Sequence, residues 1–150
     1  MTRFVQTTLL AAFLCLLPAS VPAFAQSDAE TSKTLDTLFG DHVAYQDFLA
    51  VLQKAVAATD KPMVAEMVTY PLKTKVSGKE TTLKDAKDFI AHYDAIVTAK
   101  IAAAIKNQTY AKLFANSDGV MIGSGEIWFS GICSDTACTK QFVKIIAFNP

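Results

Sequence analysis

From Asp41 onward, apolar side chains recur at three- and four-residue intervals: Tyr45, Phe48, Leu49, Leu52 and Val56. That spacing gathers them on one face of a helix. A shorter helical turn over Thr34–Phe39, closed by Gly40, precedes it, and residues 26–40 as a whole read as a flexible lead-in. Asp60 is placed to cap a second helix, with Pro62 in its first turn, where a missing N–H donor costs nothing; the helix runs to Met67 and stops before Tyr70-Pro71-Leu72. Leu72–Val76, a turn at Ser77-Gly78 and Glu80–Leu83 read as a hairpin with polar edges. Thr82 and Asp85 then resemble a capping box for a third helix with the stripe Ala86, Phe89, Ile90, Tyr93 and Val97, and Thr98 restarts a helix carrying Ile101, Ala102 and Ile105.

Beyond Gln108 the period changes from helical to alternating. Expected strands are Tyr110–Phe114, a long one from Val120 to Ile132, and Thr139–Phe148, separated by turns at Asn116–Gly119 and Ser134–Ala137. Helices, a hairpin, more helices and a final meander predict an α+β domain with helices on one face of an antiparallel sheet.

The amino terminus differs in texture from everything after it. Arg3, an apolar run from Leu9 to Leu17, Pro18 and the small residues around Ala23-Phe24-Ala25 form the three parts of a secretory leader, with cleavage expected between Ala25 and Gln26. The run is roughly half the ~20 residues needed to span a bilayer, so an anchor is not expected, and the mature domain covers 41–150 after the lead-in. Location is then periplasmic or secreted.

Charge narrows the partner classes. Removing Arg3 from fourteen basic residues leaves thirteen lysines against fourteen acidic side chains, a net charge of −1 with no arginine. Nucleic acid, which demands a cationic field and arginine forks, is not an expected partner, and neither is a membrane once the leader is gone. The two cysteines of the mature chain, Cys133 and Cys138, read as a disulfide in an oxidising compartment; the Cys-x4-Cys spacing and the lack of further Cys or His pairs argue against a metal site. No phosphate loop, nucleophile elbow or triad motif occurs, and no cofactor or metal is expected.

If Cys133 and Cys138 pair directly across the last hairpin, Phe129 lies opposite Phe142 and Ile127 opposite Lys144, while Trp128, Val143, Glu126 and Ile145 share the other face with Ile122 and Val120. Gly123, Gly125 and Gly131 are costly inside a strand and predict a strongly bent ribbon. Helices across such a concavity leave a pocket. Glu126, ringed by apolar neighbours, should be desolvated and its pKa raised, which makes it the candidate proton-transfer group. His92 is a second candidate, with Asp88 four residues earlier as its expected partner, and His42 reads as a surface residue. Tyr45, Tyr93 and Trp128 are the candidate pocket-lining aromatics, with an apolar body and a polar tip.

The order of elements, with the segments Val68-Thr69-Tyr70-Pro71-Leu72, Asp88-Phe89-Ile90-Ala91-His92-Tyr93-Asp94 and Gly119 through Phe129, resembles bacterial exported members of the nuclear-transport-factor-like superfamily, the SnoaL-like and ketosteroid-isomerase-like group. The likeness spans about Asp41 to Phe148. It implies a cone in which a strongly curved sheet wraps helices and encloses a cavity. The superfamily contains ketosteroid isomerases, scytalone dehydratases, polyketide cyclases and domains that only bind or assemble, so the fold alone does not fix an activity. Only Glu126 and His92 match the acidic or histidine base such enzymes place in the cavity. The expected function is therefore an exported domain that binds a small amphipathic ligand or an envelope protein. The alternatives are an acid–base isomerase, lyase or cyclase acting through Glu126, and a homodimerising domain that assembles through Met121, Ile127, Phe129, Phe142 and Phe148.

Overall fold

The computed structural model of the chain describes residues 27–150. The expected leader and the cleavage expected between Ala25 and Gln26 lie outside them. Among the described residues there are six α-helices, one 3-10 turn and two antiparallel sheets.

The segment expected to be a flexible lead-in is helix α1, Asp28–Phe39. Ser27 and Glu30 form a reciprocal capping box, the Glu30 amide donating to Ser27 Oγ at 3.2 Å and the Ser27 amide to Glu30 Oε2 at 2.9 Å. Gly40 closes the helix in the left-handed region, φ 82°. Leu35 is fully buried and Thr31 donates to the Ala111 carbonyl at 3.2 Å. A polar helix with two inward residues has too weak a hydrophobic period to announce itself, and the Ser27–Glu30 pair is the local feature that marks its start.

Helix α2, His42–Ala57, follows the apolar stripe: Tyr45, Phe48, Leu49 and Leu52 are buried, and the Asp41 carboxylate caps the amides of Val43 and Ala44. Each such side chain contributes about 1.5–3 kcal/mol by leaving water. Helix α3, Lys61–Glu66, is capped by Asp60 as expected. Strands β1, Leu72–Val76, and β2, Lys79–Leu83, pair with Val76 opposite Lys79 across Ser77-Gly78. Helix α4, Ala86–Ala91, starts on Asp85, whose carboxylate takes the Asp88 amide at 2.9 Å; the cap is not Thr82, which sits within β2. The chain breaks at His92 into α5, Tyr93–Ile96, and α6, Ala99–Asn107, begins on Thr98.

The terminal meander departs from expectation twice. Tyr110–Lys112 is a 3-10 turn, and the first strand, β3, is Phe114–Asn116. The long strand from Val120 to Ile132 is two strands, β4 (Gly119–Ile122) and β5 (Ile127–Cys133), split by a turn over 123–126 in which Gly123 and Gly125 have φ of 67° and 108°. These glycines serve a reversal instead of a bend. Strand β6, Gln141–Phe148, completes the order β3-β4-β5-β6. The sheet is open and not strongly curled.

Register is a further departure. Cys133 and Cys138 are bonded, Sγ to Sγ 1.96 Å, but Cys133 faces Gln141 across the hairpin, not Cys138. The turn is longer than assumed: Cys138 lies in the left-handed region (φ 53°) and the ladder resumes only where the Ser134 amide meets the Lys140 carbonyl at 2.9 Å. A three-residue slip moves β6 to its other face. Phe129 consequently pairs with Ile145 and Ile132 with Phe142, with a bulge at Trp128/Phe129. Ile127, Phe129, Ile145 and Phe148 point into the core beside Val120 and Ile122, where Phe129 stacks on Phe48 at 5.0 Å and Phe148 meets Phe89 at 5.4 Å. The homodimer face drawn from the expected register is therefore not one face: Ile127, Phe129 and Phe148 are core, while Phe142 is exposed.

Candidate functional site

Glu126 closes the turn between β4 and β5. Its Oε2 accepts the Ser124 amide at 2.5 Å, and Lys100 of α6 stands 3.5 Å from Oε1. The turn is clamped from outside: Gln108 Oε1 accepts the Gly123 amide at 2.9 Å, and Asn149 donates its amide to the Glu126 carbonyl and its side chain to the Gly125 carbonyl. Gly123 is required for a steric reason as well, because a Cβ there would run into the Glu126 carboxylate and sit 3.2 Å from Ala104 Cβ. The Ser124 amide, Glu126's own amide and then the Lys100 charge hold the carboxyl below the usual range, against a smaller opposing effect of burial. The expectation of a desolvated acid with raised pKa is thus reversed: ion and amide partners outweigh desolvation, and Trp128, Val143 and Ile145 do not ring the group.

The other candidate residues do not converge on Glu126. Tyr45 is 2% exposed, stacked on Phe39, and its hydroxyl accepts the Gly131 amide at 2.9 Å. Tyr93 is buried edge-on to Phe89, with Lys61 Nζ 5.2 Å from its ring. Burial pushes both phenols up. Trp128 lies on the outer face of the sheet, edge-on to Phe114. His92 is exposed at the α4–α5 break, and the Asp88 carboxylate expected to pair with it instead accepts the Lys84 amide at 3.0 Å. His42, expected at the surface, is half-buried and binds Asp36 at 2.8 Å.

A depression lies elsewhere, between α2 and α6. It encloses about 700 Å³ over Val56, Ala57, Ala102, Ala103 and Ile105, with Lys54 and Lys106 beside it. Gln53 ties its walls together by donating to the carbonyls of Ile105 and Gln108 at 2.9 and 2.8 Å. No carboxylate lines it, and neither lysine has an ion-pair partner among the described residues. Sequence reasoning missed this site because Val56, Ala102 and Ile105 read only as inward helix positions, and nothing in the local pattern brings Lys54 and Lys106 together. A second, shallower groove of about 380 Å³ runs between α2 and β6, over Ala44, Phe48, Val51, Met67 and Phe142.

Among the described residues no cluster of three or more His, Cys, Asp or Glu side chains could hold a metal ion, and no helix is long and apolar enough to cross a membrane. No family model, curated protein or solved structure matches the chain.

Proposed function

We propose that the mature chain is an exported binding domain of the nuclear-transport-factor-like type that holds a small anionic amphiphile in the α2–α6 groove. The carrying observation is the pairing of an apolar floor, Val56, Ala102, Ala103 and Ile105, with two unpaired lysines and no acid. A volume of about 700 Å³ falls within the ~300–1,000 Å³ of small-molecule sites. The disulfide supports an oxidising compartment. Glu126 speaks for binding over proton transfer, since a carboxyl committed to a turn and held at low pKa is a weak base.

The test is an NMR titration of the mature protein with dodecanoate. Shifts centred on Ala102, Ala103 and Lys106, weakened several-fold by Lys54→Glu and Lys106→Glu, are expected. Shifts scattered over the surface, or a response indifferent to both substitutions, would remove the assignment.

A further inference from the structure

Strand β6 leaves part of its outer edge unused. The chain segment after α3 already pairs with that edge at one point: the Ile145 amide donates to the Met67 carbonyl at 2.7 Å, and the Thr69 amide donates to the Ile145 carbonyl at 2.9 Å. Both main-chain groups of Ile145 therefore point away from β5. In an antiparallel ladder that orientation repeats every second residue. It is confirmed at the other end, where the Lys140 carbonyl bonds inward to Ser134. Val143 and Gln141 must then direct their N–H and C=O groups outward, and no main-chain partner among the described residues meets them there. Beside this vacant stretch lies the α2–β6 groove with Phe48, Val51 and Phe142, the last 56% exposed.

We infer that this edge receives an extended segment of another protein, one carrying acidic residues two positions either side of its centre and apolar residues between them. The charge pattern selects this occupant. Phe142 and Lys144 lie on the outer side of β6; with the alternation continued to Lys140, which directly precedes the strand, an added strand would set its own side chains against Lys140 and Lys144 at a four-residue spacing. Lys144 already donates to the Glu66 carbonyl at 2.5 Å and is held at the edge. The intervening residues of the added strand would point to the helix side, towards Phe48, Val51 and Asp47, where apolar or small side chains fit and a carboxylate does not. The same pattern disfavours a second copy of this chain. The antiparallel self-pairing that uses the free groups of both Gln141 and Val143 puts Lys140 of one copy opposite Lys144 of the other. The shifted pairing centred on Gln141 depends on Thr139, whose amide is taken by Asp135 at 3.0 Å. Strand addition of this kind draws affinity from main-chain bonds and specificity from alternate side chains.

The experiment uses the disulfide-intact mature protein and the capped peptide Ser-Glu-Val-Thr-Val-Glu-Ser, with its Glu→Lys counterpart as control. Expected are amide shifts at Gln141, Phe142 and Val143, at least tenfold weaker binding of the lysine peptide, and a comparable loss with Lys140→Glu. Val143→Pro should abolish binding while leaving the domain folded, since it deletes an outward N–H that has no partner among the described residues; an unchanged far-ultraviolet spectrum and retained cooperative unfolding for that variant check the point. Equal binding of both peptides, shifts confined to other surfaces, or concentration-dependent self-association abolished by Val143→Pro would each overturn the proposal. The α2–α6 groove shares no lining residue with the α2–β6 groove, so the outcome does not depend on the ligand reading.

Discussion

The Tyr45 hydroxyl accepts the Gly131 amide at 2.9 Å, joining the first long helix of the core to the middle of β5 at a point β4 does not reach. Strand β4 pairs with β5 only as far as Phe129, so the next N–H on that side has no strand to meet. Tyr45 supplies the missing acceptor, with its ring stacked 4.8 Å from Phe39 and tilted towards Phe129 at 6.0 Å. Gly131 permits the approach, because a Cβ there would lie 3.1 Å from the hydroxyl.

Tyr45→Phe keeps the ring and removes the acceptor. Leaving a partly buried amide unpaired costs about 1–3 kcal/mol. Urea unfolding of the variant should show a lower midpoint at unchanged m-value, with the Gly131 amide exchanging faster than its neighbours. A variant as stable as the parent would mean that water replaces the phenol.

Glu126 carries the pH prediction. Its folded-state pKa is depressed, so the stability it contributes is present above the unfolded value near 4.5 and is lost as pH falls through the folded value. Side-chain carboxyl NMR should find its midpoint below that of an ordinary glutamate. Glu126→Gln should flatten the acid limb of the stability curve while costing about 1–2 kcal/mol at neutral pH, the order of one charge-assisted hydrogen bond. A midpoint above the ordinary value would restore the desolvated acid that the sequence pattern suggested.

Helices α2, α3 and α6 were legible from the sequence because periodicity, capping residues and Pro62 act within one or two turns. The α2 stripe and the Asp60 and Thr98 boundaries follow from such local signals, whereas the Thr82–Asp85 pattern placed the start of α4 three residues early. The candidate site was not legible, because it depended on register, a non-local quantity. Equating the disulfide with a cross-strand pair misplaced β6 by three residues, and that slip put Phe129 opposite Phe142 and gathered Trp128, Val143 and Ile145 around Glu126. The glycines misled in the same way: residues unfavourable within a strand fit a bend and a turn equally, and positive φ at Gly123 is visible only in three dimensions. The α2–α6 groove arises from two helices far apart in sequence, and no residue within either marks it.

The disulfide should contribute modestly and locally. In the chain-entropy picture a loop as short as Cys133–Cys138, with a sequence separation of 5, is worth about 2 kcal/mol, near the low end for native bridges. Replacing both cysteines by serine should lower stability by about that amount and raise amide exchange at Ser134–Lys140 and Gln141 while leaving β4 and the helices unchanged. Global unfolding of the double variant at room temperature would show that the bridge, and not the sheet it ends, sets the β5–β6 register.

Helix α1 offers the sharpest distinction between a lead-in and a structural element. Leu35 is fully buried, and α1 rests on α2, on the Tyr110–Lys112 turn and on β3. A flexible segment would tolerate Leu35→Ala without effect. A packed one should lose about 2–5 kcal/mol, the cost of removing a buried leucine side chain and leaving a cavity. The cap separates packing from propensity: Ser27→Ala should cost only about 0.5–2 kcal/mol, since it removes one acceptor at an exposed helix end. Measured by urea unfolding, the leucine variant should therefore be clearly the more damaging of the two. Equal and negligible effects would mean that the domain begins at Asp41 and α1 is dispensable.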